Sequence, residues 1–254
     1  MSEEDPDTPE ARGSRAAVTP AARPGSGRAP LDRRRILGAA VELIDERGVR
    51  ALTMRRLGER LGVEAMALYH YVPGRESLLD GVVEVVVDEL YGDPDVLLEP
   101  REGWQDYLQR LAHGVRRIAL AHPQVFPLVA TRPPAAPWVR PPLRSLRWIE
   151  SFLGALLGHG FSDEAAVAAY RAFSSFLLGH LLLEVSARGV DTGPVEEPED
   201  PPQPDVREMA GTYPHVVRLE PELARDCAAV EFEESLEVLL DRIELLLPAR
   251  RPRG

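Results

Sequence analysis

The chain has no lysine and a single cysteine, Cys227. Any phosphate contact by a long basic side chain must therefore come from arginine. A lone cysteine can form neither an intrachain disulfide nor a multi-cysteine metal site. No apolar run reaches the length that a bilayer-spanning helix needs, and no signal-type hydrophobic segment stands near the start. The expectation is a cytoplasmic protein with no membrane partner. The six histidines are not spaced as a metal cluster. His180 and Glu184 lie four apart on one helix, but two ligands are too few for a site, and His113 stands beside Arg116 and Arg117 on an amphipathic face. The Walker loop and the GxGxxG, GxSxG and HExxH patterns are all missing. No catalytic residue, metal or cofactor is expected.

What is present is ordinary globular material: 254 residues, 44% hydrophobic and 28% charged. The net charge of −11 argues against a nucleic-acid partner until its distribution is considered. Residues 31–75 hold nine arginines against six acids, a local excess of +3. Residues 1–30 have almost no large apolar side chains, and five acids face four arginines, so they read as a disordered arm.

Helical spacing dominates the rest. Ile36, Leu37, Ala40, Leu43 and Ile44 mark one buried face of a helix that begins near Leu31 and ends at Gly48. Thr53 is placed to cap a second helix with Leu57 and Leu61 four apart, and Gly62 breaks it. A third helix is expected over Val63–Tyr71, closed by Pro73-Gly74, and a longer fourth runs from Arg75 past Leu90. Further helices are expected at Trp104–Ala121, Leu143–Leu157, Ser162–Arg188 and Ala228–Leu247, with a proline-rich loop at 131–142. Residues 189–205 carry six acids, five prolines and no basic residue, the centre of a mobile loop over 189–212. No useful strand alternation occurs, so the fold is all-α.

Two short helices joined at a glycine form a helix-turn-helix, whose second helix enters the DNA major groove. Ala65 and Ala67 are small enough to let that helix approach base edges, and Met66 offers an apolar contact to a thymine methyl. Tyr69, His70 and Tyr71 offer hydroxyl and ring N–H groups to phosphates. Thr53 and Arg55 begin the preceding helix, and Arg75 closes on the backbone from the next. Any one of these side chains has an ordinary alternative, as core aromatic or solvated charge. The ordered set is far more specific than its members. A DNA-binding protein leads the readings, with an all-α enzyme and an all-α interaction adaptor beside it.

The stretch "ILGAAVELIDERGVRALTMRRLGERLGVEAMALYHYVPGRESLLDGVV" resembles the DNA-binding domain of TetR-type transcriptional repressors. "WQDYLQRLAHGVRRIALAHP", "TRP", "GF" and "SLEVLLDRIELL" resemble the C-terminal core of the tetracycline repressor subclass, a likeness covering about residues 31–247. The resemblance implies a helix-turn-helix domain at 31–76 and a larger helical ligand-binding and dimerisation domain at 77–250. It implies a homodimer on a near-palindromic operator, paired through the helices at 162–188 and 228–247, and a small-molecule effector. It also implies ligand contacts at Tyr91, Leu111, Val115, Leu128, Thr131, Arg132, Pro133, Phe152 and Leu183. Where the tetracycline repressors have a metal-binding histidine, this sequence has Leu128, and Leu111, Val115, Phe152 and Leu183 replace their other polar or aromatic contacts. Leucine has no lone pair for Mg²⁺ and no hydrogen bond for a polyol edge. The expected effector is a largely apolar molecule and not a magnesium–tetracycline complex, with Tyr91 and Arg132 as polar handles.

Overall fold

The computed structural model describes residues 30–93, 96, 103–133, 136, 139, 145–190 and 210–247. Residues 1–31 form a unit apart from 32–254, and only the latter is described below. The expected arm at 1–30 lies outside the described residues except for Pro30, and the acidic loop does so over 191–209.

Asp32 caps α1 (Arg33–Arg47) by accepting a 2.8 Å hydrogen bond from the Arg35 backbone, so the helix begins two residues after Leu31. Its apolar face buries Ile36, Leu37, Ala40, Val41, Leu43 and Ile44. Gly48 stops it at φ +74°, although its ψ of 164° is not that of a left-handed helical cap. After a 3₁₀ turn at Val49–Ala51, Thr53 caps α2 (Met54–Leu61) through the Arg56 N–H at 3.2 Å, as its position predicts. The third helix is shorter than the expected Val63–Tyr71. α3 is Ala65–Leu68, and Tyr69–Tyr71 continue as a turn in which Tyr71 and Val72 both donate to the Leu68 carbonyl. Leu68 and Val72, both fully buried, fix that turn to the domain.

α4 (Arg75–Gly92) packs along α1 and buries Leu78, Leu79, Val82, Val83, Val86 and Leu90. It is shared between the two halves of the molecule, since its other contacts are with α5 (Trp104–Ala121) and α6 (Phe126–Thr131). α5 has the bounds its sequence pattern predicts; α6 is an element that pattern does not reveal. α7 (Leu146–Gly158) begins at the Ser145 cap, three residues later than expected. α8 (Asp163–Ala187), capped by Ser162, is the centre of the larger domain and touches α5, α6, α7 and the last helix. By length and composition α8 is apolar enough to cross a membrane, contrary to the expectation that no run is. Ten of its residues are buried in the fold, including Glu184, whose carboxylate is held by Arg116 and Arg188.

The second unexpected element is α9 (Pro214–Leu223), which buries none of its residues. α10 (Ala228–Glu244) ends three residues short of the expected Leu247 and buries Phe232, Leu236, Leu240 and Ile243. Among the described residues there is no strand.

Candidate nucleic-acid interface and internal cavity

The angle between α2 and α3 is set by two glycines. Gly62 takes the left-handed conformation (φ 66°, ψ 40°), and the Val63 N–H returns to the Gly58 carbonyl at 2.9 Å. Gly58 itself lies where the helices meet: a Cβ there would stand 2.8 Å from the Val63 carbonyl oxygen and 3.3 Å from the Ala65 nitrogen. The sequence pattern singles out Gly62 and not Gly58. A glycine in mid-helix opposite a tight turn is the available signal.

On this frame Met66 is 72% exposed, Tyr69 43% and Tyr71 42%, with His70 exposed between the tyrosines. Water-facing apolar and aromatic groups are costly unless something covers them. Ala65 and Ala67 are half-buried, so α3 presents a low surface around Met66. Thr53 and Arg55 are exposed at the start of α2, and Arg55 pairs with Glu59 at 3.0 Å, an exposed pair that is cheap to break. Arg75, exposed at the start of α4, reaches back to the Val49 carbonyl at 3.3 Å. The nine expected DNA-contacting residues therefore lie at the start of α2, on α3 and its following turn, and at the start of α4. Other arginines of the basic segment do different work. Arg60 bridges Glu42 and Glu46 of α1 at 2.9 and 2.7 Å, and Arg33 pairs with Glu84 of α4. Hydrogen bonding from Arg60 holds the Glu46 carboxyl below its usual range.

Two polar joints tie this end to the larger domain. Arg132, just after α6, donates to Asp80 at 2.8 Å and to Glu76 at 2.9 Å on α4. Burial opposes its charge, but the two carboxylates outweigh burial and raise its pKa. His122, at the end of α5, lies 2.6 Å from Asp45 of α1 through Nδ1 and 3.2 Å from Glu89 of α4 through Nε2. The Asp45 hydrogen bond, with Glu89 assisting, raises the His122 pKa against the effect of burial.

Beside these joints α4, α5, α6, α7 and α8 enclose a cavity of about 40 Å³, walled by residues that include Val83, Val87, Val115, Phe126, Trp148 and Ser174. That is room for a few waters, far below the roughly 300–1,000 Å³ of organic-ligand pockets, so a ligand can enter only by spreading the helices.

Of the nine residues expected to contact a ligand, Val115 lines this cavity. Leu111 and Phe152 are fully buried but do not line it, Phe152 sitting in an aromatic cluster with Trp148, Tyr170 and Phe173. Tyr91 stands at the edge, its hydroxyl 2.8 Å from that of Ser145, which does line the cavity, with the Arg147 guanidinium over its ring. Leu128 is half-buried in α6, while Thr131 caps back onto the Pro127 carbonyl at 2.6 Å and Pro133 is exposed. Two expectations need correction. Arg132 is not a polar handle in the cavity, because both carboxylates of α4 occupy it. Leu183 is 74% exposed on the outer face of α8 and cannot wall an interior site within one subunit. Glu184, one residue on and four from His180, is 4% exposed and ion-paired with Arg116. His113 faces Glu233 at 3.6 Å and packs on Phe232 instead of standing free in solvent.

Residues 36–82 match the family model for bacterial regulatory proteins of the tetR family, and residues 98–247 that for the tetracyclin repressor-like C-terminal domain. The chain is similar to the class G tetracycline repressor of Vibrio anguillarum, 30% identical over 220 residues that cover 86% of this chain and 96% of that one. It is similar to a solved structure of a possible TetR family transcriptional regulator from Streptomyces coelicolor A3(2), with 32% identity and a TM-score of 0.67 over 85% of this chain and all of the other. The Streptomyces coelicolor protein ActR in complex with (S)-DNPA is similar at 26% identity, with a TM-score of 0.63 over 85% and 98% of the two chains.

Proposed function

Because the chain belongs to the tetR family of bacterial regulatory proteins, we propose that it is a repressor that binds a near-palindromic operator as a homodimer and leaves it when a small, largely apolar molecule enters the cavity. The observation that carries this reading is the double use of α4. Its first turn holds Arg75 beside the recognition element, and its second half walls the cavity through Val83, Val87 and Leu90. A ligand that spreads the cavity pushes on the helix that α1 packs against, and Arg132 and His122 carry the displacement to α4 and α1. A ligand shifts an equilibrium only by its differential affinity for the two states. Here the difference is built in, because the closed cavity has no room for the ligand.

A dimer is supported by what one subunit leaves uncovered. α8 exposes Val167, Ala168, Ala172, Ser175, Gly179 and Leu183 along one side, α10 exposes Val230 and Val238, and Leu245 just after it is exposed too. Small residues on one helix face allow close approach of another helix, and a two-fold contact would set two α3 elements on two half-sites.

The effector is not a magnesium–tetracycline complex. Support comes from Leu128 and Leu111, which offer a metal or a polyol nothing, and from Glu184, whose oxygens are held by Arg116 and Arg188. The test uses promoter DNA of the protein's own gene and of its neighbour. Footprinting is expected to show one protected near-palindrome with two subunits bound. Protection of an asymmetric site by one subunit would overturn the dimer. Release by tetracycline only with Mg²⁺, at affinities tighter than about micromolar, would overturn the reading of the pocket.

A further inference from the structure

The cavity wall contains a polar atom that the folded chain leaves without a partner. Trp148, 4% exposed and part of the wall, has its indole Nε1 buried with no hydrogen-bond acceptor. Ser174, 1% exposed and on the same wall from α8, has the Tyr170 hydroxyl one turn back as its neighbour, and a hydroxyl can both donate and accept, so it retains capacity for a second contact. A buried, unsatisfied N–H is an expense the core would avoid by carrying phenylalanine at 148. Trp148 also lies in the first turn of α7, where Ser145 already accepts from the Trp148 backbone N–H at 3.2 Å and meets the Tyr91 hydroxyl. The first turn of a thirteen-residue helix favours an electron-rich atom. Among the described residues that line the cavity none carries a charge, and the wall from α4, α5 and α6 is built of valine, leucine, isoleucine and phenylalanine alone.

Resting on the reading of this cavity as the effector site, we infer that its ligand carries a carbonyl-type acceptor oxygen on an otherwise apolar, aromatic body. Trp148 Nε1–H donates to that oxygen and the Ser174 hydroxyl is the second polar contact. The aromatic body suits the neighbours, since Trp148 and Phe126 line the space, Phe152 and Tyr170 pack against Trp148 at tilted angles, and Phe173 packs on Phe152. Opening the cavity gives the indole N–H the partner it lacks in the closed state, so the hydrogen bond itself favours the open, DNA-releasing form.

The test compares two probes of one outline, benzophenone and its hydrocarbon counterpart diphenylmethane, by calorimetry on the full-length protein. The wild type is expected to bind the ketone about 2- to 10-fold more tightly, the range of one net hydrogen bond. In Trp148→Phe, which keeps a ring but not the donor, the ratio is expected to fall to about one. Ser174→Ala is expected to lower it partially. Equal binding of both probes by the wild type would overturn the inference while leaving the cavity reading intact, and so would a ratio unchanged in Trp148→Phe. Binding of neither probe would remove the cavity reading as well. If Trp148→Phe does not fold, the wild-type indole N–H resonance of Trp148 decides instead. It moves downfield with benzophenone and not with diphenylmethane, and identical shifts with both probes would overturn the inference.

Discussion

Replacing Gly58 by alanine pits two effects against each other. In the middle of a helix the exchange should stabilise by about 1 kcal/mol, because glycine loses more backbone entropy on folding than alanine. Against this stands the backbone of the turn: the new methyl would sit 2.8 Å from the Val63 carbonyl oxygen, an atom that cannot rotate away. Overpacking of that kind costs about 1–3 kcal/mol, so the net change is a loss of about 0–2 kcal/mol. The larger consequence is geometric. Relief requires α3 to move off α2, which tilts Met66 and the aromatic turn relative to the groove. Gly38 is the control, a helical glycine of α1 where an added Cβ would meet nothing within 4 Å. Gly38→Ala is expected to raise Tm by about 2–4 °C, the shift that corresponds to roughly 1 kcal/mol in a chain of this size. Gly58→Ala is expected to leave Tm unchanged or lower and to weaken promoter-DNA binding by about tenfold or more, a distortion worth at least ~1.4 kcal/mol. Thermal unfolding and fluorescence anisotropy measure the two quantities. A Gly58→Ala protein as stabilised as Gly38→Ala, with undiminished DNA affinity, would refute the close-approach argument.

Arg132→Ala removes the clamp from α6 to α4 and is expected to cost about 1–2 kcal/mol, while Arg55→Ala, losing only an exposed pair, costs under about 0.5 kcal/mol; equal Tm losses would contradict the assignment. The raised His122 pKa means that its stabilisation is complete below the ordinary histidine value of 6.5 and is lost as pH rises through the folded-state value. The wild-type Tm is therefore expected to fall across that window while His122→Gln gives a flatter profile, and parallel profiles would dismiss the joint. Met66→Ala is expected to relax base preference at one position of each half-site, read by competition among single-base operator variants; an unchanged preference would remove Met66 from readout.

Most of the fold is legible because burial against a core writes a 3.6-residue period into the sequence. α1, α4, α5 and α8 carry that period, and their observed bounds lie within about two residues of those it predicts. α9 buries nothing, so no apolar period exists to be read, and the interior Pro221 argues locally against a helix. α6 is six residues long with Pro127 in its first turn, too short for a period to show. The helix-turn-helix geometry is legible because capping, turn and aromatic clustering are local features. The cavity is not, because which side of a buried helix faces a void is decided by packing among five helices. Leu111 and Phe152 are buried without lining the cavity that Val115 lines. Trp148 escapes sequence reasoning for the same reason: an unmet hydrogen bond exists only in three dimensions.

The central claim, that the α3 turn and the start of α4 form a DNA-binding surface, is tested most directly by a salt titration of promoter-fragment binding. Wild type is compared with a protein carrying alanine at Tyr69, His70 and Arg75 together. The wild type is expected to show a steep fall of log K with log salt. The triple variant is expected to bind all sequences more weakly, with a slope shallower by about 0.9 for each phosphate that Arg75 no longer neutralises, about 1.8 for a dimer. An unchanged affinity and slope in the triple variant would contradict the account.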